Sequence, residues 1–227
     1  MNIKTKEEIL NVENPAWEAL VKSINSSNVR VKALDNTPEQ GLNTLYRIQV
    51  TTRSYMGALI LHTGGLLVDH GWLRMLGSGY KELPSIADVN HFAPVPQIQL
   101  GFIDTMIIAY DVMGGRFAVD GGGFGLGFGE VCYNGPDTLK WESMGMKHDE
   151  FIEWILEGGL DTFYANLRWH GWEQEVSNLR LDEGISASPP PYTVEGQDPN
   201  KVSRQVVPFK KVLDLNESLE KTHKNLS

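Results

Sequence analysis

The chain has 227 residues, of which 41% are hydrophobic and 22% are charged, and its formal net charge at pH 7 is −9. These proportions exclude an intrinsically disordered chain, and the single cysteine excludes both a disulfide framework and a cysteine-based zinc site. The excess of acidic residues argues against nucleic-acid binding through a broad basic face, because Lys and Arg supply most of the affinity for phosphate.

Two helices are predicted at the start of the chain. Thr5 and Glu8 have the spacing of a capping box. Asn14 followed by Pro15 is typical of a helix N-cap, and it predicts a second helix from Ala16 to about Asn25. This polar start lacks the apolar core of a secretory signal, and no segment reaches the roughly 20 apolar residues of a membrane span. We therefore predict a cytoplasmic protein that does not bind membranes.

The next part of the chain is predicted to be rich in strands. Apolar and charged residues alternate over Val29–Ala33, which indicates a half-buried strand. A turn or short helix at Thr37–Gly41 follows, and strands are expected to dominate Leu45–Leu76. A short helix capped by Ser85 ends at about Asn90. Four further strands are predicted: Met106–Tyr110, Arg116–Val119, Glu130–Tyr133 and Leu139–Trp141.

A run of glycines, Gly121–Gly129, lies between two of these strands. It lacks the G-x-G-x-x-G spacing of a dinucleotide site, and a strand follows it where such a site needs a helix. We therefore predict a flexible connection or wide hairpin loop, with a gating or partner-binding loop as the alternative.

The last third is predicted to return to helices. Apolar residues recur at helical spacing from Lys147 to Glu157, and two shorter helices are expected over Asp161–Leu167 and Trp172–Leu179. Asp182–Gln205 is predicted to be an irregular surface arm, and a last helix begins at Val207. The order of helices, strands and helices favours an α+β fold. We expect one domain with three parts, at residues 1–82, 83–157 and 158–227.

A candidate site follows from a two-residue hairpin turn predicted at Gly64-Gly65, where both positions can take positive φ. Strands Ala58–Thr63 and Leu66–Asp69 would then place His62 and Asp69 diagonally on one face. A carboxylate in that position orients an imidazole for acid–base chemistry. The alternative, which the commoner role of such histidines favours, is a histidine that only holds the hairpin.

Neighbouring residues extend this candidate site. Arg53 and Arg74 could hold an anion, and the hydroxyls around Arg53 support the same role. The residues predicted to bind a ligand or partner are Thr52, Arg53, His62, Asp69, His70, Trp72 and Arg74. No nucleophile or third metal ligand stands at a recognisable spacing, so we predict no catalytic residue, no metal and no cofactor.

Several blocks of the chain match a known family: QVTTRS from Gln49, LHTGGLLVDHGWLRMLGSG from Leu61, the Val112–Asp120 strand pair, PDTLKWE from Pro136, FYANLRW from Phe163 and PPPYTVEG from Pro189. Over nearly its whole length the chain resembles a bacterial domain-of-unknown-function family, number 2625. That resemblance implies relatives and no activity.

A second resemblance covers about residues 83–157. The strand ending at Asp111, the Gly114-Gly115 turn, Arg116–Val119 and the helix that carries Phe151 are similar to the SUKH superfamily. This superfamily contains bacterial immunity proteins, which neutralise toxins, and fungal regulators of cell-wall synthesis. The resemblance implies a SUKH-like core with a mixed, twisted sheet, flanking helices, N- and C-terminal extensions and a protein-binding role without catalytic residues.

Two functions follow. The first is a non-enzymatic protein-binding module, such as an immunity protein, whose acidic surface would steer it onto a basic toxin. The second is a small-ligand binder or hydrolase-type enzyme that uses His62, Asp69, Arg53 and Arg74. The second function requires these four side chains in one pocket, whereas the first buries them as scaffold.

Overall fold

The computed structural model describes residues 3–96 and 103–224. Its centre is a seven-stranded sheet whose strands lie side by side in chain order. They are β1 (Val31–Leu34), β2 (Gly65–Val68), β3 (Leu73–Leu76), β4 (Thr105–Asp111), β5 (Arg116–Asp120), β6 (Glu130–Asn134) and β7 (Trp141–Lys147). The α+β class is confirmed. The expectation of a mixed sheet is wrong, because every pairing among the described strands is antiparallel.

Nine α-helices accompany the strands in the described residues. They are α1 (Lys6–Leu10), α2 (Trp17–Ser26), α3 (Pro38–Ile48), α4 (Tyr55–His62), α5 (Ile86–Val89), α6 (His148–Leu156), α7 (Gly159–Phe163), α8 (Trp172–Ser177) and α9 (Phe209–Lys224). No helix among these residues is long and apolar enough to cross a bilayer.

Of the two helix caps predicted near the start of the chain, one is confirmed and one is wrong. Thr5 and Glu8 form the expected capping box, with the Glu8 N–H donating to Thr5 Oγ1 over 3.2 Å and the Thr5 N–H donating to Glu8 Oε2 over 2.7 Å. The predicted N-cap at Asn14 is wrong. The N-cap lies two residues later, at Ala16, the helix begins at Trp17, and Asn14 itself adopts a left-handed conformation with φ of 57°.

The strand-rich prediction for Leu45–Leu76 is wrong in its first half, which is helical. The hairpin expected at Gly64-Gly65 does not form, because the segment before it is helix α4. Ser54 caps this helix by accepting the Gly57 N–H over 3.1 Å. All residues of Met56–Ile60 are buried. A helix buried on every side has no polar face, so its sequence lacks the helical period and is easily taken for a strand.

The sheet has two distinct faces. The inner face carries the core residues Leu66, Met75, Ala109, Phe117 and Tyr133, which are cross-strand neighbours. Helix α6 packs on this face through Phe151, whose ring centroid lies 5.0 Å from that of Phe117. Helices α2 and α4 pack against α6. This layer makes the main hydrophobic core.

The outer face carries a row of long side chains, most of them polar or charged. Lys32, Leu67, Arg74, Tyr110 and Arg116 are successive cross-strand neighbours on β1 to β5. Strands from the predicted 1–82 and 83–157 parts therefore share one sheet.

The C-terminal part covers much of the outer face. The predicted irregular arm is wrong, because it contains β8 (Glu183–Ser188) and β9 (Ser203–Pro208), which pair antiparallel. Their small and polar residues weaken the strand signal. Ile185 donates its N–H to the Val112 carbonyl over 2.8 Å, and Asn216 of α9 donates to the Met113 carbonyl over 3.0 Å.

Candidate ligand-binding groove

A groove of about 450 Å³ opens at the end of the outer face where β1 forms the edge of the sheet. The volume lies within the range of ligand-binding sites. Its lining comes from three parts of the chain: the sheet and the turn after β2 (Arg30, Lys32, Leu34, Leu67, His70 and Gly71), a loop (Tyr80, Lys81 and Glu82) and the segment after α8 (Ser177, Leu179, Arg180 and Leu181).

The charge of this groove is opposite to that of the whole chain. Arg30, Lys32 and Lys81 line it, and none of them has a carboxylate within ion-pair distance among the described residues. Arg180 is already paired with Asp182, with 2.5 Å between Nη2 and Oδ2. Glu82 is the one carboxylate among the described lining residues, so cations outnumber anions in this concave site on a protein of net charge −9.

A left-handed turn presents His70 to this groove. Asp69, His70 and Gly71 have φ of 53°, 61° and 88°, and the first two are not glycines. This conformation costs about 1–2 kcal/mol per non-glycine residue. The His70 Nδ1 atom lies 3.2 Å from Ser177 Oγ and 3.5 Å from Arg30 Nη1. Strain of this kind is concentrated at functional sites, where surrounding contacts hold it in place.

The contact that holds the turn is an ion pair between Asp69 and Arg168. The Arg168 guanidinium lies among three rings, 5.0 Å from the centroid of Trp72, 5.3 Å from Tyr164 and 4.0 Å from Trp172. Burial raises the pKa of Asp69, and the charge of Arg168 opposes that rise. Trp72, which directly follows the turn, is fully buried.

The predicted pairing of His62 with Asp69 is wrong, because it depended on a hairpin that does not form. His62 lies in the last turn of α4 and stacks on Trp17 of α2, with ring centroids 4.2 Å apart. Burial lowers the pKa of His62. Asp69 is instead bound to Arg168.

Arg74 is buried apart from His62 and Asp69 and bonds to backbone carbonyls. It is only 2% exposed, and its Nη1 donates to the carbonyls of Leu181 and Glu183 over 2.9 and 2.8 Å. Burial lowers its pKa to about 10, so the side chain stays charged at neutral pH. Arg74 therefore anchors the segment that forms one wall of the groove.

The other two predicted residues lie near the start of α4. Thr52 is buried, and its backbone bonds to Ile9 and Ala16 over 3.3 and 2.9 Å. Arg53 is exposed. Of the seven predicted residues, His70 lines the groove, while Asp69, Trp72 and Arg74 support it from behind. A binding role for Thr52, Arg53 and His62 stays a prediction.

The sequence prediction missed most of the groove. Arg30 and Lys32 alternate with Val29 and Val31, and that pattern predicts that both charged residues lie on the solvent face of a strand. The pattern was correct, but it could not show that two distant segments wall off this face. No local signal marks Lys81.

The glycine run forms a hairpin connection from β5 to β6, as predicted. Asp120 organises it: Oδ1 accepts the N–H groups of Gly122 and Phe124, and Oδ2 accepts those of Leu126 and Gly127. Burial alone would raise the pKa of Asp120, but these four donors together lower it. The loop is thus built around its own carboxylate.

Two other reactive groups are structural. Burial raises the pKa of the Cys132 thiol to about 11, so it is a poor nucleophile at neutral pH. Asp111 is buried and accepts the hydroxyls of Tyr133 and Tyr164 over 2.7 and 3.1 Å. The described residues contain no group of three or more His, Cys, Asp or Glu placed to hold a metal ion.

Comparison with known proteins finds a family and two relatives. The family described as protein of unknown function DUF2625 matches residues 6–212. The chain is 37% identical to the putative uncharacterized protein YbfG of Escherichia coli (strain K12), over 82% of this chain and 85% of that protein. It is 32% identical to an uncharacterized protein of Haemophilus influenzae, over 78% of each chain. No solved structure matches.

Proposed function

This chain belongs to the DUF2625 family of proteins of unknown function, and we propose that it is a non-enzymatic protein-binding module whose partner places an acidic segment in the basic groove. The observation that carries this proposal is that Arg30, Lys32 and Lys81 line one groove, outnumber its single lining carboxylate, Glu82, and form no ion pair among the described residues. Their charge is free to pair with a ligand.

Charge complementarity supports an acidic partner. A carboxylate held near several cations in a concave site is stabilised more than it is on an open surface. The rest of this protein is acidic and repels such a partner, so the groove also supplies specificity. Leu34, Leu67 and Leu179 add apolar area beneath the charges. Local charge therefore favours an acidic binding segment, which differs from the basic toxin expected from net charge alone.

The arrangement favours binding over catalysis. The enzyme hypothesis needed His62, Asp69, Arg53 and Arg74 in one pocket. His62 instead contacts Trp17, and the other three have separate surroundings. An immunity protein is one form of the proposed module, in which case a toxin would carry the acidic segment.

The test compares which partner protein is captured from cell lysate by wild type, Lys32→Glu and Lys140→Glu. Each protein is tagged and checked for folding by circular dichroism. Lys140 is exposed and lies outside the groove, so its variant matches the change in net charge. We expect one partner protein to be retained by wild type and Lys140→Glu and lost by Lys32→Glu. The mass of this partner should be unchanged after incubation, as expected for binding without catalysis. Equal retention by wild type and both variants would contradict the proposal.

The volume of the groove supports a second candidate, a small anionic ligand, because about 450 Å³ suits a small molecule as well as a peptide segment. Native mass spectrometry separates the two functions. A small molecule carried by wild type and Lys140→Glu but absent from Lys32→Glu, with no protein captured, would favour this second function.

A further inference from the structure

We infer that the acidic segment binds as an extended strand alongside β1 and lengthens the central sheet by one strand. This inference rests on the proposed function, because it assumes that the groove accepts an acidic partner. It adds the backbone geometry of the complex and the place where the segment lies.

Strand β1 has a free edge. It is the first strand of the sheet and pairs with β2 on one side, and no described strand pairs with its other side. The Asp69 N–H donates to the Arg30 carbonyl over 2.7 Å, and the Gly64 N–H donates to the Leu34 carbonyl over 2.8 Å. Backbone groups of successive residues point to opposite sides of a strand, so those of Val31 and Ala33 point away from β2.

The free edge borders the basic groove. Arg30, Lys32 and Leu34 line the groove, and they alternate with the two residues whose backbone groups are free. A strand added beside β1 places every second side chain on the face that carries Lys32. Acidic side chains at those positions would pair with Lys32 across the strands and reach towards Arg30.

The opposite edge of the sheet is less suited to this role. The ladder between β6 and β7 is interrupted by a register shift between Glu130 and Cys132. Gly145 within β7 has a left-handed φ of 67°. Such irregularities protect an edge strand from pairing. The β1 register, by contrast, is continuous from Val31 to Leu34, and Ala33 is exposed.

Charge also selects the occupant. A second copy of this chain, paired antiparallel along β1 with the two-fold axis at Val31 or Lys32, would place Lys32 opposite Arg30 or Lys32 of the other copy, and like charges in facing positions are unfavourable. An acidic segment meets the opposite sign. The lysine that discourages self-association thus favours the acidic partner.

The experiment uses the peptide acetyl-Glu-Val-Glu-Val-Glu-Val-amide, with a Lys-for-Glu peptide as its control. A third peptide carries N-methyl groups on its valines, and a fourth carries them on its glutamates. The N–H groups of successive residues point to opposite sides of a strand, so one of these two peptides lacks the N–H groups that would face β1. Binding is measured by NMR titration of the full-length protein. We expect the acidic peptide to bind, with slowed hydrogen exchange at the Val31 and Ala33 amides, and one N-methylated peptide to bind about tenfold more weakly.

Protein variants separate the two levels of the proposal. Lys32→Glu should abolish binding, whereas Lys140→Glu should leave it unchanged. Ala33→Pro removes a donor that points away from β2, so it should weaken binding without disturbing the sheet. Loss of binding in Lys32→Glu, with no effect of Ala33→Pro or of either set of N-methyl groups, would overturn strand addition alone. No binding at millimolar peptide, or binding that ignores Lys32, would overturn the acidic-segment proposal as well.

Discussion

The imidazole of His62 stacks on the indole of Trp17, with 4.2 Å between the ring centroids and 18° between the ring planes. This contact joins α4 to α2 and takes His62 away from Asp69. The sequence predicts that His62 pairs with Asp69 for acid–base chemistry, but the side chain is instead part of a helix–helix contact.

The stack predicts an unusual titration. Burial lowers the pKa of His62, so the folded protein binds this proton less readily than the unfolded chain does. The stability contributed by His62 is present above the ordinary pKa of 6.5 and is lost as pH falls through that value towards the lowered pKa. NMR titration of the His62 ring should give a midpoint below 6.5.

Two variants check the cause of that titration. Trp17→Leu removes the ring that buries His62, so the midpoint should move towards 6.5. His62→Phe keeps a ring in place and should reduce the loss of thermal stability between about pH 7 and pH 5. A His62 midpoint at or above its ordinary value would contradict this account.

Asp69→Asn should destabilise the protein by about 2 kcal/mol in urea unfolding. The variant keeps the side-chain shape and tolerates the left-handed backbone, but it leaves the Arg168 charge among aromatic rings without its carboxylate. The effect is smaller than the about 3–5 kcal/mol of a fully buried pair, because Asp161 still contacts Arg168 over 3.1 Å. Asp161→Asn is the control. The Asp161 side chain is 80% exposed, so this variant should lower the free energy of unfolding by less than about 1 kcal/mol. Equal losses in both variants would show that Asp69 does not hold the turn.

Arg74→Met should cost about 2–4 kcal/mol in free energy of unfolding. The methionine roughly matches the length of the buried stem, but the carbonyls of Leu181 and Glu183 lose their donor. Chemical denaturation measures this loss. The exposed Arg53 provides a matched substitution, Arg53→Met, which should change stability by less than about 0.5 kcal/mol. A near-neutral Arg74→Met would mean that the groove wall does not depend on this anchor.

Asp120→Asn should loosen the glycine loop. The amide group replaces one of the two oxygens that accept backbone N–H groups, so either the Gly122 and Phe124 donors or the Leu126 and Gly127 donors lose their partner. Hydrogen exchange over residues 121–129 should become about tenfold faster.

The same residue predicts a dependence on acid. Because its folded pKa is lowered, the stability that Asp120 provides is present above 3.8 and is lost as pH falls through the folded pKa. The variant should therefore lose less stability than wild type between about pH 6 and pH 2. An identical acid dependence in the two proteins would contradict this role.

Local signals predicted many elements correctly. The capping box at Thr5, the cap at Ser85, strands β4 to β6 and helix α6 all follow from residues within a few positions of each other. Boundaries were less accurate. The strand predicted to end at Trp141 begins there, because the turn before it extends through Leu139, which has a left-handed φ of 54°.

By itself, the sequence determined the α+β class, the positions of the middle strands, the glycine loop as a hairpin connection and the caps at Thr5 and Ser85, because these depend on short-range periodicity and turn chemistry. Only the tertiary structure decided the partners of His62, Asp69 and Arg74, and only it brought Lys81 to the same groove as Arg30 and Lys32. The physical reason is that a side chain's partner depends on how the sheet and helices pack, and residues far apart in sequence meet only when that packing is complete.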